Sequence, residues 1–165
     1  MSNTQKWQIR QALPSEVEHL SGLAFRSKSY WGYSDRFMQA CLEELTIDKC
    51  YIENNRTFVL EAARNAVGFY SLERISAAEV ELSLLFVEPD FIGKGYGRKL
   101  ITHAQEEARH LGYSKMIIQG DPNAERFYRS AGGFLVGTRK SASVPNRELP
   151  IFCINLRESD ENPLG

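Results

Sequence analysis

The 165-residue chain contains no apolar run approaching the roughly 20 residues that a membrane-spanning helix needs. Its first ten residues, MSNTQKWQIR, lack the apolar core of a secretory signal. Nor does one sign of charge dominate. Twenty Lys and Arg stand against 21 Asp and Glu, a formal net charge of −1, and the basic residues are dispersed rather than gathered into a patch. That balance gives no general attraction for polyanions, so no nucleic-acid partner is expected. Cysteine is scarce. Cys41, Cys50 and Cys153 fit neither a disulfide framework nor a zinc spacing, and each reads as a small buried hydrophobe. Repeats and low-complexity tracts are also missing. The expectation is a cytoplasmic chain in a reducing compartment, with no membrane association and no metal. It forms one domain over residues 1–156, followed by a polar tail over residues 157–165.

Periodicity supplies the elements. WQIRQA alternates as a short strand. Pro14 suits a helix start, and Val17, Leu20, Leu23 and Ala24 follow at helical spacing. Ser34 is a plausible N-cap for a second helix with Phe37, Met38, Cys41, Leu42 and Leu45 on one face. TFVLEAA and AVGFYSLER form a hairpin around Arg64-Asn65, and EVELSLLFVEP is a third strand of that group, stopped by Pro89. Leu100, Ile101, Ala104, Ala108 and Leu111 make a helical stripe ended by Gly112. Then come a strand (SKMIIQG), a short helix (NAERFYRSAGG) and two closing strands (FLVGTRK and PIFCINL). Hairpins in the middle and one strand-helix-strand unit imply an α/β (α+β) fold. Its mixed, mostly antiparallel sheet has six to seven strands, with about four helices on both faces.

The stretch FVEPDFIGKGYGRKL joins an apolar strand to a helix through Gly93, Gly95 and Gly97. Glycines let backbone N–H groups approach a ligand without Cβ interference, and the helix N-terminus that follows favours an anion. The G-x-G-x-G spacing departs from the dinucleotide fingerprint, and Arg98-Lys99 replaces the Lys-Ser/Thr pair of a P-loop. A phosphate cradle remains, to which Lys94 and Arg98 can add charge. A tight, solvated turn fits the same glycines. Downstream, DPNAERFYRSAGGF offers the amide of Asn123 and the phenol of Tyr128. A phenol can protonate a leaving group. Asn123 also suits a helix cap, and Tyr128 a core aromatic with a wet tip.

The ordered pair LLFVEPDFIGKGYGRKLI and DPNAERFYRSAGGF resembles the two central motifs of the GNAT superfamily of acetyl-CoA-dependent N-acyltransferases. The element order agrees from about Trp7 to Leu156. The resemblance implies a GNAT fold whose fourth and fifth strands are parallel and splayed. It implies acetyl-CoA as cosubstrate and a primary amine as acceptor. The backbone of Ile92, Gly93, Lys94, Gly95, Tyr96, Gly97 and Arg98 would cradle the pyrophosphate. Phe86 and Val87 would pair with the pantetheine arm and the acetyl group. Asn123 would hydrogen-bond the pantetheine, and Tyr128 would protonate the departing thiolate. Glu81 stands where several relatives keep a general base, with Glu79 in reserve. A period of two places Glu81 on the same face as Val87, six residues on. A solvent-facing carboxylate fits Glu81 equally well.

Two positions depart from the family pattern. Ile92 stands where Arg or Gln usually opens the turn, and Gly132-Gly133-Phe134 carries one glycine more than usual. In similar proteins the acceptor lies between the early helices and the last strand loop. Trp31 and Tyr33 are therefore candidates to cage an amine, and Arg147 to pair with an acidic group of the acceptor. The same residues also read as a plugged helix junction and a solvated loop. A homodimer is in keeping with such proteins. The rival class is a catalytically silent coenzyme-A-binding sensor or scaffold with the same fold.

Overall fold

The computed structural model of the protein describes residues 6–157. Seven segments with strand character pair into one open sheet. They are β1 (Trp7–Gln11), β2 (Arg56–Ala62), β3 (Asn65–Arg74), β4 (Glu79–Val87), β5 (Lys115–Gln119), β6 (Phe134–Lys140) and β7 (Glu148–Asn155). Their spatial order is β1-β2-β3-β4-β5-β7-β6, and the β4–β5 pair is parallel while every other pair is antiparallel. The helices are α1 (Val17–Ser29), α2 (Asp35–Leu45), α3 (Lys49–Asn54), α4 (Tyr96–His110) and α5 (Glu125–Ser130). No helix among the described residues is long and apolar enough to cross a membrane. The expected polar tail lies outside the described residues except for Arg157, which donates to the Gly112 carbonyl at 3.0 Å.

Each face of the sheet has its own core. Leu20, Leu23, Met38, Cys41, Leu45 and Ile52 of α1–α3 pack on Val59 and Phe69. On the other face Leu100, Ile101, Ala104 and Ala108 of α4 cover Leu60, Tyr70, Met116 and Phe152. Local chemistry sets the boundaries. Ser34 caps α2 by accepting from the Phe37 N–H at 3.1 Å. Asp48 caps α3 in the same way through Tyr51, at 2.8 Å. The β2–β3 turn holds Ala63 and Arg64 at positive φ, a two-residue connection whose twist matches the strands on either side.

Three local expectations change. The six-residue α3 occupies a stretch where the apolar pattern marked no helix. Cys50, within it, is exposed because its helix turns Ile52 rather than Cys50 to the core. Most consequential is a bulge in β4. Its register with β3 runs Leu72↔Leu82 and then Ser71↔Leu84, so Ser83 is an extra residue. An inserted residue reverses the alternation beyond it. Val80, Leu82, Leu85 and Val87 therefore face α4, while Leu84 and Phe86 face α1–α3. Glu81 and Val87, six residues apart, lie on opposite faces of the sheet.

Leu100 is fully buried at the centre of the α4 face. It packs where a Cβ added at Gly68 would stand 2.9 Å from its Cδ1. Leu100→Ala is expected to cost about 2–5 kcal/mol of stability. Urea unfolding measures this, and a change under about 1 kcal/mol would mean that the face repacks.

Candidate active site

The β4–β5 ladder holds for only three residue pairs, Glu79↔Lys115, Val80↔Met116 and Glu81↔Ile117. Beyond Glu81 the bulge at Ser83 bends β4, and β5 ends at Gln119 before the turn Gly120-Asp121-Pro122. A cleft of about 500 Å³ opens between the strands. One unpaired backbone edge runs along it. The Glu88 N–H donates to the Val67 carbonyl at 2.8 Å, so by antiparallel alternation the N–H groups of Leu85 and Val87 point away from β3. The Val87 N–H lies 3.4 Å from the hydroxyl of Ser27, a buried residue of α1 that also lines the cleft.

One mouth of the cleft is the glycine turn. Gly93 and Gly95 have φ of +82° and +85°, conformations that favour glycine, and a Cβ added at either would meet nothing within 4 Å. Open space therefore stands beside this backbone. Gly95 is the N-cap of α4, and the N–H groups of Gly97 and Arg98 in its first turn have no intrahelical acceptor. The side chains take other duties. Tyr96 is buried edge-on against Phe91, and Ile92 packs against the α4 core while its N–H donates to the Pro89 carbonyl at 3.2 Å. Lys94 lies over the Phe91 ring at 5.3 Å. The Arg98 guanidinium donates to the Ser130 carbonyl and hydroxyl at 3.0 and 2.9 Å, tying α4 to α5. The turn thus offers main-chain donors on an apolar footing.

Tyr128 projects from α5 into the cleft with 8% of its surface exposed. Its hydroxyl has no protein partner among the described residues. Burial pushes its phenol well above the ordinary value, and the charge of Asp121 adds to this. The ring is wedged against Gly120, where an added Cβ would stand 3.1 Å from it. The two glycines of Gly132-Gly133 divide the work at the end of α5. Gly132 takes φ +99°, and Gly133 passes so close to the Tyr128 carbonyl that a Cβ would sit at 2.8 Å. β6 starts at Phe134 all the same.

Asp121 organises the opposite mouth. It caps the 3-10 turn Pro122–Ala124 through the Asn123 N–H at 2.9 Å, so the cap is Asp121 rather than Asn123. The Tyr33 hydroxyl donates to its carboxylate at 2.7 Å, while Lys28 stands at 3.4 Å and Arg147 at 3.5 Å. Burial alone would raise this carboxyl. The Asn123 N–H, the Tyr33 hydroxyl, Lys28 and Arg147 together hold it below its ordinary value. The Asn123 side-chain N–H₂ donates to Tyr33 Oη at 2.9 Å and to Asp121 at 3.0 Å, and its Oδ1 takes no part in these bonds.

Tyr33 and Arg147 were candidates for direct acceptor contact, but the structure commits them elsewhere. Phe37 stacks on Tyr33 at 4.1 Å, and the Arg147 guanidinium sits 5.2 and 4.7 Å from the two rings. Arg147 also donates to Tyr33 Oη at 2.8 Å. Burial, reinforced by Asp121, pushes the Tyr33 phenol up to about 12. Trp31, half exposed, remains at the cleft lining. Glu81 lines the same cleft from the α1–α3 face. Burial raises its carboxyl, Arg139 at 3.8 Å works against that, and Glu73 directly across β3 adds to it. Glu79 lies outside the lining. Sequence reasoning missed Ser27, Lys28 and Asp121. Only Asp121 carried a local signal, an Asp placed before a Pro that opens a turn.

With this geometry in place, comparison with known proteins identifies the family. The model of the GNAT acetyltransferase family matches residues 23–134. The chain belongs to that family. It is an acetyl-CoA-dependent N-acetyltransferase. Among curated proteins it is similar to a 5-NmdU N-acetyltransferase of Pseudomonas phage PaMx11, 28% identical over 130 residues, covering 78% of this chain and 88% of the relative. Among solved structures it resembles the PaiA N-acetyltransferase of Thermoplasma acidophilum in complex with coenzyme A. There the TM-score is 0.75 at 19% identity, over 91% of this chain and 99% of that one. A second is the acetyltransferase YncA of Salmonella typhimurium with acetyl-CoA, at TM-score 0.69 and 20% identity, over 93% and 95% of the two chains. The seven-stranded sheet with its splayed parallel pair is the GNAT fold.

Asp121→Asn keeps the shape of the network but leaves Lys28 and Arg147 without their anion. The expected loss is about 1–3 kcal/mol at pH 7. Because the folded carboxyl is held low, its contribution is complete above about pH 4 and fades as pH falls through the depressed value. The gap between the two proteins in urea unfolding should therefore shrink at pH 3. A gap that persists there would assign the loss to shape alone.

Proposed function

We propose that this enzyme transfers the acetyl group of acetyl-CoA directly to a primary amine, with Tyr128 as acid and Glu81 as base. The observation that carries the reading is the single cleft. It brings the Gly93–Gly95 turn, the β4 backbone edge that no strand pairs, the Tyr128 hydroxyl and Glu81 onto one lining. The residues present fit a thioester on a diphosphate-bearing arm. The glycine turn and the first turn of α4 supply main-chain donors for the pyrophosphate. The backbone of Phe86 and Val87 and the Asn123 carbonyl suit an amide-bearing arm.

Bound acetyl-CoA supplies a thioester carbonyl carbon for the amine to attack. The Val87 N–H, aimed off β3, is placed to polarise the carbonyl oxygen. Glu81, its carboxyl raised by burial, accepts a proton from the amine. Tyr128 holds a proton that its environment keeps on oxygen and donates it to the leaving thiolate. No enzyme nucleophile is required, since Cys41 and Cys153 are buried and Cys50 is exposed on α3, outside the cleft. The phage relative makes 5-NmdU the first acceptor to try. Lysine side chains, peptide N-termini and polyamines complete the panel.

Tyr128→Phe is expected to lower kcat by about 10²-fold or more while acetyl-CoA affinity stays unchanged. A thiol-release assay paired with calorimetry reads both quantities. Unchanged turnover would remove Tyr128 from its role. Gly95→Val forces a β-branched residue into a left-handed conformation and sets its methyls in the cradle, so acetyl-CoA affinity should fall at least about tenfold. Intact affinity would sink the cradle. Acetyl-CoA binding without thiol release from any amine would point to a silent coenzyme-A sensor instead.

A further inference from the structure

A protonated amine sheds two protons on becoming an amide. Because the sulfur takes its proton from Tyr128 and Glu81 takes one from the nitrogen, the ammonium's other proton needs an acceptor of its own. The α1–α3 face of the sheet holds a half-buried polar group that the mechanism above leaves unused. The Tyr51 hydroxyl, brought in by α3, lies 2.9 Å from Ser71 Oγ, 2.9 Å from Glu73 Oε2 and 2.9 Å from Ser83 Oγ. Ser83 is the bulge residue of β4 and lines the cleft. Glu73 is only partly buried, near the end of β3 and directly across from Glu81.

The polarity of this cluster follows from counting hydrogens. Tyr51 Oη has one proton, and of its three neighbours the Glu73 carboxylate is the strongest acceptor and cannot donate. Tyr51 therefore directs its proton to Glu73, with Ser71 Oγ as the weaker alternative acceptor, and Ser83 is the neighbour that donates to Tyr51. Ser83 Oγ also lies 3.4 Å from the Ser71 carbonyl, a longer contact than the 2.9 Å to Tyr51 Oη, so its hydrogen goes to Tyr51 and its lone pairs are left to the cleft. The chain Ser83–Tyr51–Glu73 then runs one way, from the cleft to a carboxylate that reaches solvent.

We propose that Ser83, Tyr51 and Glu73 form the exit route for the acceptor's first proton, a role that rests on the amine-acetylation reading above. The ammonium N–H bond breaks as Ser83 Oγ takes the proton. The Ser83 proton passes to Tyr51 Oη, and the Tyr51 proton passes to a Glu73 oxygen. Both hydroxyls end neutral, the amine has lost one proton, and Glu73 has gained the one it releases to water. The neutral amine then attacks, and Tyr128 gives its proton to the leaving sulfur. Glu81 takes the second proton from the adduct and releases it to water. Tyr128 recovers a proton from water, so one net proton leaves the site.

The test uses the full-length chain with 5-NmdU, spermidine and a lysine peptide as acceptors. Tyr51→Phe is expected to lower kcat at least tenfold at pH 7. Its acetyl-CoA affinity by calorimetry should stay at the wild-type value. Raising the pH until solvent itself neutralises the amine should shrink the defect, because the relay is then bypassed. The other groups bearing on that profile are Glu81 and its partner Arg139, and both stay intact in the variant. Glu73→Gln and Ser83→Ala break the route at its other links and should show the same pH-dependent loss, which also covers a Tyr51 variant that fails to fold. Full kcat in the variants, or an equal loss at every pH, overturns the relay while leaving the activity in place. A wild type that binds acetyl-CoA but acetylates none of these amines overturns the underlying reading and the relay with it.

Discussion

The site depends on the early end of one parallel ladder. β4 has nine residues but pairs with β5 over only three of them, stopping at Glu81↔Ile117. Backbone polar groups left unpaired inside a protein are costly, so a sheet does not part without compensation. Here the compensation is built on both sides. The extra residue at Ser83 bends β4 away, and Gly120, pressed by Tyr128 and Phe152, turns the chain off β5. Ser27 reaches the Val87 N–H, which no strand pairs, from α1, though at 3.4 Å it holds that donor weakly. A donor kept in low-dielectric surroundings by so long a bond is ready for a better acceptor.

The opposite mouth is organised by a charge rather than by a gap. Asp121 gathers Lys28 from α1, Tyr33 from the α1–α2 junction and Arg147 from the β6–β7 loop. Lys28, Arg147 and Asp121 itself are each less than one-fifth exposed, so a missing partner would leave a poorly solvated ion. That penalty locks three separate parts of the chain to the turn that carries Asn123. The network consumes the donors of Asn123 and leaves its carbonyl, so the carboxylate also determines which half of that amide faces the cleft.

What the sequence disclosed follows from the range of the interactions. Strand alternation, the α1, α2 and α4 stripes, the Ser34 cap and the glycine turn are local, and all were legible. The hidden features are not local or carry too little periodicity. α3 has six residues, too few for a stripe, and rests on the Asp48 cap. The pairing of Tyr33 with Asp121 and Arg147 spans 88 and 114 residues. Nothing near Tyr33 marks its ring as covered or near Arg147 marks its charge as spent. Lys28 looked like any surface lysine because its partner lies 93 residues away.

The bulge was the hardest feature to see and has the widest effect. A period-two reading of EVELSLLFV puts Glu81 and Val87 on one face, because periodicity has no symbol for an inserted residue. With Ser83 unpaired, the two halves of β4 serve different partners. Before the bulge, Glu81 turns its carboxylate toward the α1–α3 face, beside Glu73 and the Tyr51 cluster. After it, Leu85 and Val87 bury their side chains against α4 and leave their N–H groups along the open edge. Polar side chains thus gather on the α1–α3 face and bare backbone runs along the cleft beyond the bulge. An unbulged strand would have placed Val87 on the face of Glu81, without an alternation change between the two roles. One additional serine lets a single strand turn a carboxylate to one face and a bare N–H edge along the cleft.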